Sequence, residues 1–194
     1  MLLDILKQFN WVDVLVIILL IRICYAAINN GFSAEVFKLL GTIVAIYLSL
    51  HYYTQLSDWL QAHGGKTEKL PLEFLDFLLF TLLVIVGYLI FVLLRSIFYR
   101  FIKMEAAPNL NKWGGLVLGI FRGYLLAGLV VFILVISSVT YLKTSVKNSY
   151  TGKPLFKVAV NTYSWLWNSI TSKFMPGEKF NNTILEAREG LFSE

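Results

Sequence analysis

Charge is what this sequence lacks most. Asp, Glu, Lys and Arg together make up 15% of its 194 residues, against 57% apolar residues. A water-soluble domain of this length needs a charged exterior, and there are too few charged residues here to make one. Cysteine occurs once, as Cys24, which excludes an intrachain disulfide and a thiolate metal site. The two histidines, His51 and His63, are not spaced as metal ligands. G-x-S-x-G, H-E-x-x-H, C-x-x-C and the phosphate-binding glycine loop are all missing. No catalytic residue, metal or cofactor is therefore expected, and the chain is not read as an enzyme. The net charge of +5 is carried by basic residues that flank apolar runs. That arrangement suits a lipid bilayer as partner and speaks against nucleic acid.

What is present is a series of long apolar runs, and the mean hydropathy is +0.68. The expected fold is all-α: an integral membrane four-helix bundle with a C-terminal amphipathic helix. The transmembrane domain covers residues 1–142, with spans at about 12–28, 32–53, 72–98 and 113–142. The first run carries Asp13 at its start and Arg22 within it, and no small-x-small cleavage site follows cleanly, so it is read as a retained helix. Asn29-Asn30-Gly31 joins the first two spans as a tight hairpin. Residues 54–71 are expected as a polar loop ended by Pro71, which is placed to start the third span. In the tail, residues 143–194, an amphipathic helix at about 155–174 gathers Phe156, Val160, Tyr163, Trp167, Ile170 and Phe174 near one face. It is expected either in the membrane interface or packed on the end of the bundle.

Span four carries the best-defined pattern, Gly115-x-x-x-Gly119-x-x-x-Gly123 continued by Ala127. Small residues four apart form a groove that lets another helix approach closely. The groove serves either packing within the bundle or contact with a second copy or another membrane protein. Arg122 lies beside it, near the bilayer centre, where a charge is costly and needs a protein or water partner. Topology nominates Glu35, at the start of span two, with Arg22 approaching from span one. Arg22, Glu35 and Arg122 are thus expected as an intramembrane polar cluster, either an ion pair that fixes helix register or a substrate or ion path. At the other end, Asp13, His51 and Asp76 are expected as ordinary polar groups near water.

Four segments resemble the colicin V production protein (CvpA) family of bacterial inner-membrane proteins. Trp11-Val12-Asp13 is similar to the family's opening aromatic-x-Asp, and Asn30-Gly31-Phe32-Ser33-Ala34-Glu35 to its R-G-F-x-R-E turn. His51-Tyr52-Tyr53-Thr54 resembles the close of its second span. Asn111-Lys112-x-x-Gly115-x-x-x-Gly119-x-x-Arg122-Gly123 resembles D-R-x-x-G-x-x-x-G-x-x-R-G with the spacing fully kept. Asp13, Gly31, Glu35, Lys112, Gly115, Gly119, Arg122 and Gly123 are the positions that match. Asn30 and Ala34 stand where the family has arginines, and Asn111 where it has aspartate. The resemblance implies a multi-pass inner-membrane protein that supports colicin V (toxin) production or export and envelope homeostasis through helix–helix contacts. The alternative is a small oligomeric channel or transporter lined by the Arg/Glu cluster. Lysine and arginine counts favour cytoplasmic termini, whereas relatives with an exported protease domain after the same spans imply the reverse.

Overall fold

A computed structural model describes residues 9–63, 70–101 and 108–192. The described residues are helical apart from short joints, and four helices are long and apolar enough to cross a membrane: α1 (Trp11–Asn30), α2 (Phe32–His63), α3 (Leu72–Phe101) and α4 (Pro108–Ile136). Three further helices follow, α5 (Thr140–Lys147), α6 (Gly152–Leu166) and α7 (Thr183–Phe192). A π-helical segment (Trp167–Thr171) and one last turn (Ser172–Phe174) extend α6.

Local chemistry sets the ends of these helices. Asn10 caps α1: its Oδ1 accepts from Val12 N at 2.8 Å, and its own N–H donates to Asp13 Oδ2 at 2.9 Å. Gly31 alone joins α1 to α2, with φ 79° and ψ 170°, a left-handed φ that glycine adopts without strain. Asn111 of α4 reaches the joint, and its Oδ1 accepts from Phe32 N at 2.8 Å, satisfying an otherwise orphan donor at the start of α2.

Several boundaries differ from the sequence expectation: α3 runs to Phe101 rather than 98, α4 begins at Pro108 rather than 113, and the ends of α2 and α4 depart furthest. Helix α2 runs ten residues past 53, to His63, for a length of about 48 Å at 1.5 Å per residue. Nothing between Thr54 and His63 breaks a helix, and Ser57 Oγ lies between two acceptors, Thr54 O at 2.9 Å and the Asp76 carboxylate of α3. Helix α4 stops at Ile136 rather than 142 although apolar residues continue. Ser137 Oγ donates back to Leu134 O at 2.8 Å, and Val139 is extended (φ −88°, ψ 106°), so the chain turns there.

The spans pair off by close backbone approach. Helix α2 lies along α3, where a Cβ on Gly87 would come within 2.7 Å of Ala45 Cα. Helix α1 lies along α4, described below. An aromatic column ties the layers together: Tyr53 (α2) meets Phe80 (α3), Phe80 stacks on Phe132 (α4) at 5.0 Å, and Phe132 stacks on Phe156 (α6) at 5.3 Å. The tail therefore enters the same core. Val146, Leu155, Phe156, Ala159, Val160, Tyr163 and Ile184 are buried with residues of α1 to α4. Of the amphipathic face expected for 155–174, Phe156, Val160 and Tyr163 pack against the bundle, whereas Ile170 and Phe174 stay exposed beyond it.

Candidate functional site

The glycine face of α4 receives α1 of the same chain. A Cβ on Gly115 would stand 2.8 Å from Ala27 O, one on Gly119 would overlap the Ala27 methyl, and one on Gly123 would reach 3.0 Å from Leu20 Cδ2. The antiparallel helices thus meet with almost no side chain between them on this face. Ala27 is itself fully buried, as is Ala127, the fourth residue of the stripe.

Where α1 and α4 converge, α2 contributes a carboxylate. Glu35 is fully buried and Arg122 is 5% exposed. Arg122 Nε donates to Glu35 Oε2 at 2.8 Å. The other carboxylate oxygen, Oε1, accepts from Asn30 Nδ2 at 3.0 Å and from Lys38 Nζ at 3.1 Å. Such a pair is favourable only when the remaining lone pairs are also satisfied, because both charges have left water. Here one carboxylate takes hydrogen bonds from three donors, two of them cationic. Glu35 can be so placed because the one-residue joint at Gly31 starts α2 immediately beside the end of α1.

Arg22 is not part of this cluster. It lies one residue, about 100°, from the α1 face formed by Ile23 and Ala27, and its side chain is exposed on the outside of the bundle. Asn30 and Lys38 stand in the cluster instead, two residues that sequence reasoning missed. Lys38 lies one turn beyond Glu35 on α2, a spacing that is visible in the sequence. Lys112 is exposed next to Asn111 at the same end of α4.

The residues expected near water at the other end form three separate anchors, and two of them are fully buried. Asp13 accepts from Thr151 N at 2.8 Å, Thr151 Oγ1 at 2.6 Å and Tyr150 N at 3.3 Å. His51, also fully buried, lies between the rings of Tyr47 and Trp167. Its Nδ1 is 2.9 Å from Tyr163 Oη and its Nε2 is 3.1 Å from Glu178 Oε2. Tyr163 Oη also accepts from Asn181 N at 3.1 Å, so His51, Tyr163, Glu178 and Asn181 form one connected network. Burial pushes the Tyr163 hydroxyl up to about 12. Asn181 Nδ2 donates to Leu50 O at 2.8 Å and Thr54 Oγ1 at 3.0 Å. Asp76, half-buried, accepts from Ser57 Oγ. Asp13 and His51 therefore fasten the tail to the spans, through partners more than a hundred residues away that no local pattern discloses.

A separate open cleft of about 400 Å³ lies at this end, lined by Tyr53, Glu73, Asp76, Lys143 and Glu186 among others. Among the described residues no group of three or more His, Cys, Asp or Glu side chains is placed to hold a metal ion.

Four apolar helices, a hydrophobic exterior and an ion pair closed inside the bundle define a multi-pass α-helical membrane protein. The chain matches the family model described as Colicin V production protein over residues 12–175, most of its length, and it belongs to that family. The match continues past the fourth span to the end of the helical rod formed by α6 and its extension. Neither comparison with curated proteins nor comparison with solved structures gives a match.

Proposed function

We propose that this protein acts in the bacterial inner membrane as a non-enzymatic assembly factor, supporting colicin V production or export and envelope homeostasis by contacts between membrane helices. Family membership supports the biological setting. The observation that carries the mode of action is the closure of the polar cluster. Glu35 and Arg122 are both buried and answer each other directly, while the small-residue face beside them is filled by α1. A conducting path needs such charges to face water. In this fold they are spent on holding α1, α2 and α4 in register, leaving the outer faces of the helices as the surfaces available to partners.

Two measurements test the reading together. Purified protein in sealed liposomes is expected to leave the permeability to ions and small solutes unchanged. In cells lacking the protein, the wild-type chain is expected to restore colicin V secretion and resistance to detergents, and Arg122→Leu to restore neither. Flux that Arg122→Leu abolishes would overturn the assembly role in favour of a channel.

A further inference from the structure

Arg22 differs from the other described arginines of the spans. Arg122 is buried against Glu35, Arg95 lies near the end of α3 with its guanidinium 5.2 Å from the Tyr99 ring centre, and Arg100 is exposed in the last turn of α3, at the end of the span rather than within it. Arg22 is exposed, and among the described residues it makes no ion pair or side-chain hydrogen bond. It follows Trp11 by about 16 Å of helix and precedes Asn30 by about 12 Å, which puts it close to the middle of a hydrocarbon core of about 30 Å. Packing agrees on the depth: Gly123, next to Arg122, lies against Leu20 and Ile23. An outward guanidinium at that depth needs a partner that the bundle does not supply.

The surface around it has the form of a helix-docking seam. Ile18, Arg22, Tyr25 and Asn29 follow at i, i+4, i+7 and i+11, the spacing at which one helix lies along another. All four are exposed, Ile18 at 61% and Tyr25 at 72%. Asn29 Nδ2 turns back to Tyr25 O at 3.1 Å, so the polar side of the seam continues from the centre of the membrane to the α1–α2 joint. Its cationic centre calls for an anion at matching depth.

Among the described residues a second copy offers no free carboxylate at that depth. Of the described carboxylates, Glu35 is buried and taken by Arg122, Asn30 and Lys38. Asp13 and Asp76 lie at the other end of the bundle, held by Thr151 and Ser57, and Asp58, Glu73, Glu178 and Glu186 lie at that end too, beside Asp76, His51 and the open cleft. Two copies meeting through this seam would bring two guanidiniums together.

We propose that the outer face of α1, centred on Arg22, docks a transmembrane helix of a different protein that carries an aspartate or glutamate at mid-membrane depth. This deepens the assembly role proposed above and rests on it, naming the surface and the chemistry of the partner. The test uses the full chain, donor-labelled, in phosphatidylcholine liposomes at pH 8, with acceptor-labelled single-span polyleucine helices bearing one central Glu, Gln or Leu. Energy transfer is expected to show the Glu helix bound at least tenfold more tightly than the Gln or Leu helices, and Arg22→Leu to erase that preference. Unfolding in detergent checks that Arg22→Leu, an apolar change on a lipid-facing surface, leaves the bundle intact. Equal binding of the three helices overturns the proposal, as does a Glu preference that survives Arg22→Leu. Association between copies that Arg22→Leu removes would overturn it in favour of a second copy. Any of these failures leaves the liposome-flux and complementation results, and so the assembly role, to be judged separately.

Discussion

Replacing Gly119 by alanine adds one methyl group at the tightest point between α1 and α4. That methyl would overlap the Ala27 methyl, which is fixed to a helix backbone and cannot rotate away. Glu35 Oε2, at 3.8 Å from the added atom, is in ordinary contact and contributes little. Overpacking a close-fitted interface costs about 1–3 kcal/mol, and part of this is offset by alanine's helix preference, up to about 1 kcal/mol in water. A net loss of about 1–2 kcal/mol is therefore expected, read as an earlier midpoint in reversible sodium dodecyl sulfate unfolding from mixed micelles. The diagnostic step is the double variant. Ala27→Gly alone removes a buried methyl and should cost about 1 kcal/mol. Combined with Gly119→Ala it transfers the methyl from α1 to α4 across the same gap, so the double variant should be about 1–2 kcal/mol more stable than the sum of the single effects. Additive losses would show that α1 does not pack on Gly119, and the helix pairing described above would be wrong.

Other outcomes follow from other contacts. Arg122→Leu or Glu35→Leu alone leaves an uncompensated buried charge and should destabilise by about 3–5 kcal/mol in the same unfolding assay, whereas the double leucine variant should recover much of that loss. Asp13→Ala removes the acceptor for both the Tyr150 and Thr151 amides, so hydrogen exchange at these two amides should quicken by at least tenfold while α1 stays inserted. Gly31→Ala requires a left-handed φ in alanine and pushes its methyl into the Asn111 side chain; it should cost about 1–3 kcal/mol, and Asn111→Ala should recover only part of that. For Tyr163 the folded value of about 12 exceeds the ordinary 10, so the folded state holds the proton more tightly. The stabilisation is complete below pH 10 and is lost as pH rises towards 12, by up to about 2–3 kcal/mol. Protease sensitivity of the tail should rise across that window, and Tyr163→Phe should remove this component of the rise.

What could be read from the sequence was what depends on neighbours in the chain. Hydropathy and the Gly31 joint disclosed the spans. The four-residue spacing of Gly115, Gly119 and Gly123 disclosed a close helix contact, and topology was enough to bring Glu35 towards Arg122. Arg22 was misplaced because depth alone cannot say around which side of a helix a residue points; one position away, Ile23 faces inward. The end of α4 was overrun because Val139 to Leu142 keep the hydropathy high while a serine turn redirects the backbone. In the sequence Asp13 and His51 pass for ordinary polar groups near water because their partners, Thr151, Tyr163 and Glu178, lie in a tail whose docking no local pattern reveals.

That docking gives the molecule a history as well as a shape. The ribosome delivers the four spans first, and the stretch from Val146 to Ile184 is complete only after about another 50 residues, which takes several seconds at about 5–20 residues per second. Until residues 151–163 are delivered, Phe132 has no Phe156 to stack on, Asp13 has no Thr151, and His51 has no Tyr163. The inserted spans must therefore wait, unfinished at one end, for the last part of their own chain. A stop codon before Tyr150 would accordingly strip Asp13 of its partners and so loosen the first helix as well as remove the tail.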